Sequence, residues 1–224
     1  MRIWCALGAV AVLAGCMPEP PADTPPPAPA PVVDFARSGF AAVNADQEIA
    51  RSLRSDVSSS VVGDDEAGAG YAFKLGLDGR DNFTAFAGLV RAGQIDPPRF
   101  RGTAKYQGVT TLRLIDRIRP DAPFAVSDAL QSGMVLRVDL SDNRFTGRTP
   151  PISSSTRWQL TYSGDIEDGR LTGTSRLVRE PSARHGRFDV TGKLRGRIGD
   201  NQAIAAFHGN DDEDIFAGGF RATR

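Results

Sequence analysis

Phe188-Asp189-Val190-Thr191-Gly192-Lys193-Leu194-Arg195-Gly196-Arg197-Ile198 alternates without a break. Phe188, Val190, Gly192, Leu194, Gly196 and Ile198 fall in one phase, and Asp189, Thr191, Lys193, Arg195 and Arg197 in the other. A strict period of two marks a β-strand with one buried and one solvated face. Gly199, Asp200 and Asn201 then supply turn chemistry. Ala203, Ala205, Phe207 and Gly209 run back, residues 210–214 form an acidic tip, and Phe216, Gly218, Phe220 and Ala222 share a face of a closing strand. Strands joined in series by tight turns predict an antiparallel meander.

Upstream, the same alternation continues. Tyr71, Phe73, Leu75 and Leu77 share a face before an Asp78-Gly79 turn, and Ala85, Ala87 and Leu89 follow. Gly102, Ala104, Tyr106 and Gly108 alternate with polar residues, then Leu112 and Leu114 continue the phase. Met134, Leu136, Val138 and Leu140 lead through a turn to Phe145 and Gly147. Trp158, Leu160, Tyr162, Gly164 and Ile166 lead through Asp168-Gly169 to Leu171, Gly173, Ser175 and Leu177. Many short strands with regular turns and no long helical window predict an all-β protein.

Glycine recurs in the inward phase at Gly102, Gly108, Gly147, Gly164, Gly173, Gly192, Gly196, Gly209 and Gly218. Glycine inside a strand marks a sharp bend or a close backbone approach. Set among Trp158, Tyr162, Phe207 and Phe220, such residues fit a strongly curved, filled barrel rather than an open lipocalin-like carrier. The expected fold is an antiparallel up-and-down barrel of about eight strands, the number whose interior side chains just fill. A transmembrane barrel would put its apolar face outward between aromatic girdles.

The start of the chain addresses the compartment. Met1 and Arg2 precede an apolar run, residues 3–14, too short to span a bilayer as a helix. It ends in Leu13-Ala14-Gly15-Cys16, which resembles a bacterial lipobox. The resemblance implies a signal peptide over residues 1–15 and acylation, palmitate included, of Cys16. Met17 stands where an aspartate would favour inner-membrane retention, which points to the outer membrane. The two cysteines are Cys5 and Cys16; the first leaves with the signal and the second carries lipid. The mature body then has no disulfide and no thiol nucleophile. Residues 16–33 hold Pro18, Pro20, Pro21, Pro25, Pro26, Pro27, Pro29 and Pro31, and predict an extended tether. At about 3.1 Å per residue it spans roughly 40–50 Å.

Residues 34–69 give mixed signals and are expected to form an irregular segment packed on the barrel, with the barrel itself over residues 70–224. Asn44 with Gln47 has the form of a capping box, and Ile49, Ala50 and Leu53 sit at helical spacing. Residues 40–43 and 57–62 look extended.

Gly102-Thr103-Ala104-Lys105-Tyr106-Gln107-Gly108 resembles the Gly-Thr-Ala-x-Tyr-x-Gly strand of the transferrin-binding protein B barrel family. Val138-Asp139-Leu140 with Phe145-Thr146-Gly147 resembles its Val-Asp-Phe … Val-Ser-Gly hairpin. Gly169-Arg170-Leu171-Thr172-Gly173 is similar to its Asn-Gly-x-Phe-x-Gly. Phe207-His208-Gly209 … Ala217-Gly218-Gly219-Phe220 is similar to its closing run, with Arg197 and Ile198 standing where aromatic residues are usual. The resemblance implies an eight-stranded barrel on a lipid anchor, a single-barrel member like the factor H binding protein type of surface lipoprotein. It implies capture of a protein partner, or of an iron- or haem-carrying one, through the loops, and leaves that partner unidentified.

Catalytic and metal constellations are absent from the sequence pattern. The two histidines, His185 and His208, form no metal-spaced pair; His208 falls in the polar phase and reads as a surface residue. Asn210-Asp211-Asp212-Glu213-Asp214 lacks the spacing of a calcium loop and reads as a solvated turn. No enzyme activity, cofactor or resident metal is expected. Charge balances at 27 basic against 27 acidic residues, without the basic stripe of a nucleic-acid binder. Recognition is expected in the loops of a monomeric barrel: residues 116–132, with 148–157 and 179–187 if they share its rim. Arg117, Arg119, Phe124, Arg184 and His185 are the candidate contact residues. The alternative is an envelope-structural lipoprotein facing the periplasm and capturing nothing.

Overall fold

The computed structural model describes residues 36–62, 68–80, 82–116, 129–151, 158–181 and 187–224. The signal peptide, Cys16 and the Pro-rich tether lie outside the described residues, as do Arg117, Arg119, Phe124, Arg184 and His185.

Four strands come first: β1 (Arg37–Phe40), β2 (Ser55–Val62), β3 (Gly70–Leu77) and β4 (Phe83–Val90). A 3-10 turn at Ala92–Gln94 leads to β5 (Thr103–Ile115), β6 (Leu130–Asp139), β7 (Arg144–Arg148) and β8 (Trp158–Glu167). Then follow β9 (Arg170–Arg179), β10 (Phe188–Ile198), β11 (Gln202–Asn210) and β12 (Ile215–Thr223). Strands β5–β12 close into the expected eight-stranded barrel, each pairing antiparallel with its neighbours in chain order and β12 returning to β5.

The turns match their residues. Asp168 and Gly169 both have positive φ, 48° and 71°, as a two-residue turn between right-twisted strands requires. At Gly192, opposite Gly209, a Cβ would stand 2.7 Å from the Gly209 Cα, so only glycine allows this approach of β10 to β11. Gly102 departs from expectation. It precedes β5 at φ 76° and shapes the entry to the barrel rather than its wall.

Strands β3 and β4 are not barrel strands, although their alternation placed them there. They are the middle of a separate four-stranded sheet, ordered β1-β4-β3-β2. The physical reason lies on the barrel's outer surface. Ala206 on β11 and Ile215 and Ala217 on β12, all facing outward, are fully buried, and Ile115 at the end of β5 is nearly so. They pack against Tyr71, Phe73, Leu75, Ala85 and Ala87 of the sheet. An apolar barrel exterior needs a second layer, and residues 36–90 supply it. The expected helical turn near Asn44 also gives way. The Asn44 Oδ1 accepts the Glu48 N–H at 2.9 Å, inside a loop closed by a Val43–Ile49 bridge.

The barrel interior is filled. Tyr106, Leu136, Phe145, Leu160, Tyr162, Leu194, Phe207 and Phe220 belong to one buried cluster. The Tyr162 ring centroid lies 5.6 Å from Phe207 and 5.0 Å from Phe220. Its hydroxyl donates to Thr110 Oγ1 at 2.8 Å, and Thr110 donates onward to the Gly219 carbonyl at 2.9 Å. Burial raises the pKa of this phenol, against the opposing effect of the Thr110 bond, and keeps it neutral.

Candidate functional site: the loop-bearing rim of the barrel

Because consecutive strands run antiparallel, the connections fall alternately at the two ends of the barrel. One end carries the short links at residues 140–143, 168–169 and 199–201. The other carries residues 116–129, 149–157, 180–187 and 211–214. The three long segments expected to bear recognition therefore leave the same rim. The contact candidates within them lie outside the described residues, but their stems do not.

The short-link end is sealed by the crossover from β4 to β5. Phe100 packs against the barrel core, and the Arg224 guanidinium stands 4.5 Å from its ring centroid. The Tyr106 hydroxyl donates to the Gly199 carbonyl at 2.7 Å, and burial raises that phenol to about 12. The Arg99 N–H donates to Asp200 Oδ1 at 2.7 Å.

The loop-bearing end is closed from within. Trp158, Arg179 and Phe188 are direct partners across β8, β9 and β10, so their side chains form one row at the top of the interior. The Trp158 and Phe188 rings meet edge to face at 5.0 Å. The Arg179 guanidinium carbon lies 4.7 Å from the Trp158 ring centroid and 6.0 Å from that of Phe188. Arg179 is only 3% exposed and is paired with Asp116, just beyond β5. In the ring of eight strands β5 stands opposite β9, so this ion pair spans the mouth. Sequence reasoning assigned Arg179 and Asp116 to loops. The missed signal is that Arg179 continues the inward phase Leu171, Gly173, Ser175, Leu177.

Below the 180–187 segment a second clamp holds the wall. Arg176 donates twice to Asp189, at 2.7 Å from Nε and 2.7 Å from Nη2, and Arg187 adds a third bond at 2.6 Å. Arg176 first and Arg187 second hold the Asp189 carboxyl down to about 2, against the opposing effect of burial. At the 211–214 link, Asp211 Oδ1 accepts the Glu213 and Asp214 N–H groups at 2.9 and 2.7 Å. That carboxylate is spent on shaping its own turn.

His208 corrects the sequence picture. It is 5% exposed, not solvated, and lies between barrel and sheet. Its Nδ1 is 2.8 Å from Ser38 Oγ, and Ser38 donates to Asn210 Oδ1 at 2.7 Å, so the imidazole Nδ1–H is the donor to Ser38. Asn210 Nδ2 donates to the Ala36 carbonyl at 2.7 Å. The Phe40 ring meets the imidazole edge to face at 4.5 Å. This polar seam ties β1 to β11.

No family model matches the chain, and no curated protein matches it. Among solved structures it is similar to a transferrin binding protein B variant from Haemophilus parasuis Hp5, at 15% identity over 67% of this chain and 33% of that one, TM-score 0.44. It is similar to the isotype 1 transferrin binding protein B from serogroup B Neisseria meningitidis, at 12% identity over 78% of this chain and 36% of that one, TM-score 0.44. It is also similar to HpuA from Kingella denitrificans, solved in complex with human haemoglobin, at 14% identity over 69% of this chain and 56% of that one, TM-score 0.37. The chain spans about a third of the length of the two transferrin binding proteins it matches.

Proposed function

We propose that the protein is a lipid-anchored, non-enzymatic binding protein of the outer membrane that captures a protein partner on the loop-bearing rim of its barrel. One observation carries this reading: all three long connections emerge from one end of a barrel whose interior is filled and whose mouth is bridged by Arg179 and Asp116. A packed interior disfavours a ligand inside the barrel, which supports recognition on the outer side of the rim. A rigid scaffold also lowers the ordering cost of binding, because the stems of the loops are fixed before a partner arrives. The lipobox at residues 13–16 and the Pro-rich tether support display of that rim away from the membrane. The ordered motifs shared with the transferrin-binding protein B family support a protein partner, with iron- or haem-carrying proteins the first to try.

The test has two arms. Intact cells are treated with protease, and the detergent-solubilised full chain is used as bait for extracellular proteins. Cleavage in intact cells and capture of a partner are expected. Replacing residues 117–128 with a short Gly-Ser turn, which spares Asp116 and β6, is expected to abolish capture while the melting temperature stays within a few degrees, since shortening a loop alters closure entropy by only about 0.6 kcal/mol per halving. A folded loop variant that captures undiminished removes this loop as the site. Protection of the body in intact cells moves the function to the periplasm, the alternative role.

A further inference from the structure

A second surface lies on the outer wall of β5–β8, away from the sheet, and adjoins the rim at Arg148, the last residue of β7. Lys105 and Arg137 are direct cross-strand partners, both exposed and both cationic. Arg148 faces Val135, two residues along β6 from Arg137, so a third exposed cation sits on the diagonal. Like charges placed directly opposite on an antiparallel pair destabilise it. Asp139, two residues along β6 from Arg137 and part of the same wall, offsets part of this repulsion without pairing with either cation. Asp139 Oδ1 accepts the Ser141 and Asp142 N–H groups at 2.9 and 3.3 Å, and Asp165 pairs with Arg144 at 3.9 Å. Among the described residues, none of the three cations is in an ion pair.

The wall around them is concave. Lys105, Arg137, Arg148, Thr146 and Thr161 line a hollow of about 570 Å³ that continues along β5–β7 into a second of about 600 Å³. Thr146 partners Arg137 across β6 and β7, and Thr161 partners Arg148 across β7 and β8. Hydroxyl donors thus alternate with cations on the floor. The aromatic and aliphatic residues of the lining are covered rather than presented: Tyr162, Phe145 and Val138 are buried and Val135 is half-buried. The one exposed large hydrophobic among the described residues, Val109, lies outside the lining, so no exposed anchor of the kind that dominates protein interfaces stands there.

We propose that this groove binds a soluble ligand carrying clustered phosphate groups. Two guanidinium forks and an ammonium converge on one hollow, and each fork matches two oxygens of a tetrahedral phosphate. Clustered charge on the ligand gives each of the three cations, which sit at neighbouring register positions, an oxygen partner of its own. A flat bilayer meets the edges of a groove but not its floor, which favours a soluble ligand over a lipid surface. A bound polyanion relieves the repulsion that the fold retains across Lys105 and Arg137, so fold stability and binding are opposed at this pair.

The full chain in detergent is titrated calorimetrically with sodium tripolyphosphate at about 150 mM salt, where exposed charges more than about 8 Å apart are screened. Saturable binding is expected, weakened about tenfold by Arg137→Gln or Arg148→Gln. Arg137→Glu is expected to abolish binding and to raise the melting temperature, since it turns a repulsive pair with Lys105 into an attractive one. Arg170→Gln, on β9 and outside the lining of the groove, is expected to change nothing. Three results overturn the proposal: no saturable heat with tripolyphosphate, full binding by Arg137→Glu, or an equal loss in Arg170→Gln, which would make the effect one of net charge. Vesicles of phosphatidylcholine with phosphatidylglycerol form the second arm. Binding to these alone, with no response to tripolyphosphate, would replace the groove by a membrane-surface role and equally overturn it.

Discussion

Arg179 and Asp116 meet across the mouth of the barrel, one at the end of β9 and the other just past β5, four strands apart in a ring of eight. Removing one member of a buried ion pair weakens the compensation of the other charge, at a cost that reaches about 3–5 kcal/mol, whereas replacing both with apolar groups is often neutral. Asp116→Ala is therefore expected to lower stability steeply in denaturant unfolding. The double change Asp116→Leu with Arg179→Met is expected to recover most of the loss, since a thioether still packs on Trp158 and Phe188. A double variant no more stable than Asp116→Ala would show that the charge pair itself, not its packing, closes the mouth.

Phe220 is fully buried, with its ring centroid 5.0 Å from that of Tyr162. Phe220→Ala removes the largest share of that contact and leaves a cavity, at a cost of about 3–5 kcal/mol. For a domain of ordinary stability, about 5–15 kcal/mol, this is a large fraction. Thermal melting should drop clearly. An unchanged transition would mean that the interior repacks freely around Tyr162.

Much of the barrel was legible because strand phase is a local property. Phe188–Ile198 reports its buried face through alternation alone, and the observed β10 has that phase throughout. The same alternation in Gly70–Leu77 and Phe83–Val90 says only that the strands are sided or buried; it carries no record of which sheet they join. The informative stretch was β11. Ile204, Ala206 and His208 lie in its outward phase, between the inward Ala203, Ala205 and Phe207, and all six are buried. A strand apolar on both faces needs cover on both. The shared rim of the long loops follows from the chain-order pairing, but the Arg179–Asp116 bridge does not, because it depends on closure placing β5 opposite β9.

Cys16 is expected to moor the protein. The lipobox at residues 13–16 motivates this, and the three acyl chains it implies would anchor firmly where one chain binds only marginally. Cys16→Ser should shift the protein from the membrane pellet to the soluble fraction. Continued sedimentation of the variant with membranes would assign the anchor elsewhere.

Tyr71 lies against Gly219, and a Cβ at that glycine would fall 2.3 Å from the Tyr71 ring and 2.6 Å from the Ala205 carbonyl oxygen. The missing side chain is thus the slot into which the sheet docks, and Tyr71 completes the seat with a hydrogen bond to Thr111. Gly219→Ala forces either the ring or the strand to move, and overpacking of this kind costs about 1–3 kcal/mol or more. The expected signature is selective: proteolysis within residues 36–90 should accelerate, while amide exchange in β7–β9, on the far wall, stays slow. Uniform acceleration would place the damage in the barrel wall rather than at the docking surface.

His208 gives the seam between β1 and β11 a pH dependence. Burial, then Lys193 and Arg195, lowers its pKa to about 4, against 6.5 for the free side chain. The cations face it from β10, where Lys193 is its direct partner; β12 offers Ala217, and β1 offers Ser38 and Phe40, none of them acidic. Between those two values the unfolded chain binds a proton at this site and the folded chain does not. The contribution is therefore fully present above about pH 6.5 and is lost as pH falls toward about 4, with a slope of up to about 1.4 kcal/mol per pH unit. Wild-type stability measured from pH 6.5 to 4.5 should fall more steeply than that of His208→Gln, which keeps hydrogen-bonding capacity but does not titrate. Amide exchange at β1 should rise over the same interval in the wild type, since protonation opposes the seat beside Lys193 and Arg195. Parallel stability curves for the two proteins would show that His208 is not the group that loosens the seam.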